Sequence, residues 1–157
     1  MSSNCHSKII GIDPGKGGGL TVISKDGIKA FKCPNTPDKM ATLFGVALNG
    51  DAPIDVYLVM EQVWARPTNA SSRAFNYGVN YGVWIGIAAS YEVDMNYVSP
   101  QKWMAYIGCP KGMEVTKRKN WLKSKAKECY PSLEKITLAT ADSILIAKYG
   151  KDVTSNT

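Results

Sequence analysis

The sequence predicts an α/β fold, a mixed five-stranded sheet flanked by helices, and three observations lead to it. Residues 8 to 33 hold three short apolar runs separated only by turns. Ile54 to Met60 is an almost continuous apolar run, the pattern of a strand covered on both faces. From about Ser71 onward apolar residues recur at helical spacing, interrupted by one strand-like segment, Met95 to Val98.

The elements follow in order. Lys8 to Asp13 reads as a strand, Pro14 to Gly19 as a turn, and Leu20 to Ser24 as a second strand. Asp26-Gly27 is a hairpin signal, so Ile28 to Cys33 completes an antiparallel meander. Thr36-Pro37 has the form of a helix cap followed by a first-turn proline, and Asp38 to Leu48 carries helical spacing. After a loop to Pro53, Ile54 to Met60 is the central strand, and Glu61 to Asn69 is loop again.

A long helix is expected from about Ser71 to Tyr91, with Gly78, Gly82 and Gly86 on one face. Each glycine costs a helix roughly 0.5–1 kcal/mol relative to alanine, so the stripe points to close approach of another backbone. Met95 to Val98 is a short strand, and Ser99-Pro100 starts a helix ending near Tyr106. Gly108 to Glu114 is loop, and Thr116 to Cys129 is a basic helix. Thr140 to Tyr149 is a final helix stopped by Gly150, with a polar tail expected to fray. No repeat or second domain is visible, so residues 1–157 are expected to form one domain with an ordered core of about 8–150. A meander, a helix, a central strand, a long helix, a short strand and closing helices is the order of a ribonuclease-H-like domain.

At 157 residues and 45% hydrophobic, the chain can bury one core without disulfides. Nineteen Lys and Arg against thirteen Asp and Glu give a formal net charge of +6, a balance that favours polyanionic partners. The four cysteines form no C-x-x-C pair, which fits free thiols in a reducing, cytoplasmic compartment. No apolar stretch is long enough to suggest a membrane span or secretion signal.

The most informative residues are three carboxylates. Asp13 ends Ile9-Ile10-Gly11-Ile12, Glu61 follows Val56-Tyr57-Leu58-Val59-Met60, and Asp142 opens Asp142-Ser143-Ile144-Leu145-Ile146-Ala147. Each lies at the edge of a core-forming segment, where a lone charge is costly unless paired or bound to metal. Three acids from distant parts of a basic chain suggest a divalent-metal site acting on nucleic acid. Hard cations such as Mg²⁺ or Mn²⁺ take carboxylate oxygens, and two of them can serve phosphodiester hydrolysis. Asp142 is expected in the first turn of its helix, where the macrodipole favours an anion by roughly 0.3–1 kcal/mol. The plain alternatives are a turn aspartate at Asp13 and an ordinary first-turn acid at Asp142.

Four blocks then resemble the RuvC-type Holliday-junction resolvases, with the short, phage-type members nearest in pattern. They are Ile10-Gly11-Ile12-Asp13-Pro14-Gly15, Val59-Met60-Glu61-Gln62-Val63, Ser99-Pro100-Gln101-Lys102-Trp103 and Ala141-Asp142-Ser143-Ile144-Leu145-Ile146-Ala147. The resemblance runs from about residue 8 to 150. It implies a ribonuclease-H-like fold, a homodimer, two Mg²⁺ or Mn²⁺ ions per site, and paired symmetric nicks in a four-way DNA junction. It also implies work in a host cytoplasm. Asp13, Glu61 and Asp142 match three of the family's four acidic ligands. The family's remaining Asp or His, three to five residues before the last Asp, falls here on Thr137, Leu138 and Ala139, while Glu134 is the nearest upstream acid.

For DNA binding, the resemblance matches Lys117, near the start of the basic helix, to a functional lysine, and Lys102 to a phosphate contact. Trp64, three residues after Glu61, matches an aromatic that wedges into the junction centre. Each also has a bland reading: a solvated lysine face for the helix, and packing on its own domain for Trp64. The glycine-striped helix is the candidate subunit interface, although packing on its own sheet would use the same feature. The leading expectation is a Mg²⁺-dependent endonuclease for four-way junctions. The rivals are a non-catalytic junction-binding protein and a related nuclease acting on flaps, forks or RNA–DNA hybrid.

Overall fold

The computed structural model describes residues 6–64 and 70–156. Three strands open the chain, β1 (Lys8–Asp13), β2 (Gly19–Ser24) and β3 (Gly27–Lys32). Helix α1 (Pro37–Leu48) and one 3₁₀ turn (Pro53–Asp55) lead to β4 (Val56–Glu61). Then come α2 (Ser71–Ser90), β5 (Met95–Val98), α3 (Pro100–Tyr106), α4 (Val115–Cys129) and α5 (Leu138–Ser155). The sheet order is β3-β2-β1-β4-β5. The meander pairs antiparallel, while β1–β4 and β4–β5 pair parallel, so the sheet is mixed as expected.

Strand alternation divides the core into two layers. Ile10, Ile12, Leu58 and Met60 pack with Phe44 of α1 and Trp84 of α2 on one face. On the other face Val59 and Val98 pack with Trp103, Leu122 and Ile144, from α3, α4 and α5. Helix α5 lies across β1, β2 and β4 and is the scaffold of that second layer. Its close approach needs missing side chains. A Cβ on Gly11 would run into the Ala147 backbone, and one on Gly150 would come within 2.8 Å of Val59 Cγ1.

That packing overturns two expectations. Gly150 does not stop α5, because at this position glycine admits the sheet rather than ending the helix. The tail from Lys151 is therefore helical to Ser155, with a Lys148–Asp152 ion pair at 2.6 Å and Val153 packed on the core. At its other end α5 starts at Leu138, where Thr137 and Thr140 form a reciprocal capping box. Asp142 thus falls in the second turn, not the first, and the expected first-turn dipole benefit does not apply to it.

Ile54 is likewise outside the central strand. Pro53 begins the 3₁₀ turn and leaves Ile54 exposed. Residues 65–69, part of the loop expected after Glu61, lie outside the described residues, as do residues 1–5 and 157. His6 rests against Tyr57, with ring centroids 5.4 Å apart. Among the described residues no helix is long and apolar enough to cross a membrane.

Candidate metal and nucleic-acid site

The sheet register brings the first two acids together. Ile12 pairs with Met60 in the parallel β1–β4 ladder, so Asp13 and Glu61, one residue on, end neighbouring strands at the same level. Their odd-numbered positions share the Val59 face, the one α5 covers. Asp142 arrives on α5, which is locked in rotation by a buried hydrogen bond of 2.8 Å between the Thr21 and Ser143 hydroxyls. Ser143 also bonds the Thr140 carbonyl oxygen at 3.0 Å. Residue 143 is thus pinned to β2, and the carboxylate beside it turns toward the strand ends.

The loop after β1 is built around Asp13. Oδ1 accepts from the Gly15 amide at 3.3 Å, and a Cβ on Gly18 would lie 2.6 Å from the Asp13 carboxyl carbon. Helix α2 steadies this loop from the other side. The Asn80 side-chain amide donates to the Pro14 carbonyl oxygen, and Tyr77 passes over Gly15.

Glu61 is held by a longer-range partner. The Trp103 indole N–H donates to Glu61 Oε2 at 2.6 Å.

The electrostatics show three carboxylates in one another's field. Burial, then the charge of Asp142, push Asp13 up to about 7 against the opposing Gly15 amide and Lys119. Burial, then Asp13, push Glu61 up to about 8, with a smaller contribution from Asp142 and opposition from Trp103 and Arg118. Burial also raises Asp142, while Lys119 and Arg118 hold it down. Burial, then the charges of Asp13 and Glu61, raise the Tyr77 phenol. Carboxylates that act on one another at partly buried positions are what a divalent cation would neutralise, and carboxylate oxygens are the donors Mg²⁺ or Mn²⁺ prefers. The donor chemistry therefore fits. The present spacing is looser than a formed site: among the described residues, no three His, Cys, Asp or Glu side chains are grouped closely enough to hold one ion.

The other expected residues distribute as follows. Trp64 is 68% exposed, so packing on its own domain does not account for it. Lys102 and Lys117 are both exposed, and Lys117 gives its backbone amide to the Glu114 cap at 3.1 Å. The cations that act on the acids are its neighbours Arg118 and Lys119. Glu134 is exposed in the loop before α5 and is not among the charges that shift the three acids. The glycine stripe of α2 does not face the sheet. A Cβ at Gly78, Gly82 or Gly86 would meet nothing within 4 Å, and Phe75 and Val79 beside it are exposed.

Sequence inspection singled out the three acids but missed Trp103, Tyr77, Asn80, Arg118 and Lys119 as contributors. One signal was readable for Arg118. It stands four residues before the buried Leu122 and eight before the buried Ala126, on the inward face of α4.

No protein-family model matches the chain, and no curated protein sequence matches it either. Solved structures do. A structure of T. thermophilus RuvC in complex with Holliday junction substrate superposes with a TM-score of 0.64 at 15% identity, over 95% of this chain and 98% of that one. A second Thermus thermophilus RuvC structure gives a TM-score of 0.55 at 15% identity, over 89% and 90%. At that identity the likeness establishes the fold alone, a ribonuclease-H-like mixed five-stranded sheet with flanking helices.

Proposed function

We propose that this protein is a metal-dependent, structure-specific endonuclease that cuts four-way DNA junctions by paired nicks. The observation that carries the reading is the gathering of Asp13, Glu61 and Asp142, from β1, β4 and α5, under the cations Arg118 and Lys119. Asp13, Glu61 and Asp142 would hold Mg²⁺ or Mn²⁺, two ions in all. Such ions supply an activated water and charge relief for the leaving oxygen of a phosphodiester. The chain's own groups would then place the DNA. The cations of α4, Lys117 among them, and Lys102 on α3 would take phosphates, and the exposed Trp64 would enter the junction centre.

A junction with two-fold symmetry needs two equivalent sites, which a homodimer supplies. The open, glycine-striped face of α2 with Phe75 and Val79 is the surface assigned to that contact. A phage-encoded protein working in a host cytoplasm fits the four sequence blocks.

A second reading has an observation behind it. No fourth ligand precedes Asp142 at the spacing of the resolvases, since Thr137, Leu138 and Ala139 stand there and Glu134 is turned to solvent. A protein that binds junctions without cutting them would show the same gap.

One experiment separates the two readings. A fixed four-way junction is incubated with the protein in Mg²⁺, Mn²⁺ or EDTA, and nicks are mapped on each strand. Symmetric nicks that need the metal and vanish in Asp13→Asn, Glu61→Gln and Asp142→Asn, with junction binding retained, are expected. Tight junction binding with no nicking under either metal would give the non-catalytic reading.

A further inference from the structure

Glu61 differs from the other two acids in having a buried side-chain donor of its own. Trp103 is 1% exposed and sits among Val98, Ile107 and Leu122, so its ring cannot turn away. Its helix is fixed at the root. Ser99 caps α3 by accepting from the Lys102 amide at 3.2 Å, and Pro100 opens the first turn. Ser99 directly follows β5, whose last residue, Val98, pairs with Glu61 itself. Gln62 N donates to the Val98 carbonyl oxygen at 2.8 Å, which closes the ladder just past the carboxylate. Strand β4 and the start of α3 are therefore one rigid frame, with the indole N–H and Glu61 Oε2 facing each other across 2.6 Å.

An indole nitrogen is a donor only. It can therefore bind Glu61 as an acceptor but cannot become an acceptor if the carboxyl takes up a proton. A glutamate with three rotatable bonds, repelled by Asp13 and Asp142, would otherwise swing outward. We propose that Trp103 is a positioning residue for Glu61. It ties down Oε2 and leaves Oε1 as the oxygen that would be available to a divalent cation, and the cation affinity of the site would depend on that tie. The proposal rests on the metal-site reading above. Groups that orient a metal ligand from behind, when removed, weaken metal binding by roughly 10–100-fold.

Mn²⁺ binding is measured by electron paramagnetic resonance, without DNA, on the intact chain as wild type, Trp103→Phe, Glu61→Gln and the double variant. Phenylalanine keeps the ring and removes the N–H. The expected result is Mn²⁺ affinity lower by roughly 10–100-fold in Trp103→Phe, with the double variant no weaker than Glu61→Gln alone, because the indole acts only through Glu61. If Glu61→Gln binds Mn²⁺ like wild type, the metal-site reading itself fails. Should Glu61→Gln weaken binding while Trp103→Phe does not, the positioning role is overturned. Losses that simply add in the double variant overturn it as well.

Because phenylalanine leaves a gap in the core, a second measurement uses the unsubstituted tryptophan. The chain has four tryptophans, so ¹⁵N-labelled protein gives four indole N–H signals. The Trp103 signal is expected at low field, moving upfield in Glu61→Ala. Four unmoved signals would overturn the proposal whether or not Trp103→Phe folds.

Discussion

Raising the pH from 6 to 8 is expected to tighten divalent-metal binding by on the order of 500-fold, given the two carboxyl groups at about 7 and about 8. Both Asp13 and Glu61 must be carboxylates to hold a cation. At pH 6 both are largely protonated and at pH 8 they are largely ionised, which sets how much of the binding free energy goes into displacing protons. They titrate as a coupled pair, so the curve should be broad rather than two clean steps. The sign for stability is opposite. Both folded pKa values lie above the ordinary carboxylate range, so the stability linked to these groups is fully present below about pH 4. It is lost as the pH rises through 7 and 8. The melting temperature without metal should therefore fall across the window in which metal binding strengthens. Calorimetric Mn²⁺ titrations in buffers of different ionisation enthalpy count the protons released: close to two at pH 6 and fewer than one at pH 8. Affinity that stays level from pH 6 to 8, with no proton release, would mean that Asp13 and Glu61 are not the ligands.

Three further outcomes are expected. Trp64→Ala should leave duplex binding unchanged but reduce junction opening, because a wedge contributes only where bases unstack; 2-aminopurine fluorescence at the crossover reads this, and a signal equal to wild type returns Trp64 to plain surface. Lys117→Ala should weaken junction binding and reduce the magnitude of the salt slope by about 0.9, as for one lost phosphate contact; an unchanged slope and affinity mean a merely solvated side chain. Leu138→Asp should lower the metal concentration for half-maximal nicking, since position 138 lies one turn before Asp142 on the same face of α5 and Leu138 is 51% exposed. If neither it nor Ala139→Asp changes the metal dependence while Glu134→Gln abolishes nicking, the missing ligand is Glu134.

The strands were legible because alternation and turn residues act over a few positions. Lys8–Asp13 and Met95–Val98 have the bounds their apolar runs suggest. Helix α3 was equally legible, with Ser99 and Pro100 marking its start and Tyr106 its end. Legibility failed where a local signal served a distant contact. Gly150 has the form of a helix stop, yet it is the residue that lets α5 seat on Ile9, Tyr57 and Val59. Ile54 has the form of strand core, yet Pro53 fixes a 3₁₀ turn that leaves it in solvent. The glycine stripe of α2 suggested close approach of another backbone, but spacing alone could not say that the surface turns away from its own sheet and meets nothing within this chain.

The candidate site divides in the same way. Glu61 stands out in one dimension because an acid straight after five apolar residues is unusual, whereas Asp13 and Asp142 each have an ordinary reading and gain weight only together with it. What tunes them comes from residues whose sequence neighbourhoods are ordinary. Lys117, Arg118 and Lys119 differ by about 100° of helix rotation per residue, and which of them meets the acids is settled by the burial of Leu122 and Ala126 four and eight residues beyond Arg118. Trp103 packs on the inward face of a short helix, where its N–H needs an acceptor. That acceptor lies 42 residues away in the chain, and only the β4–β5 pairing brings it within reach. The carboxylates are thus visible in the sequence, whereas their protonation and aim are properties of the packed sheet and helices, and it is there that substitutions should shift the behaviour of the three acids without replacing one of them.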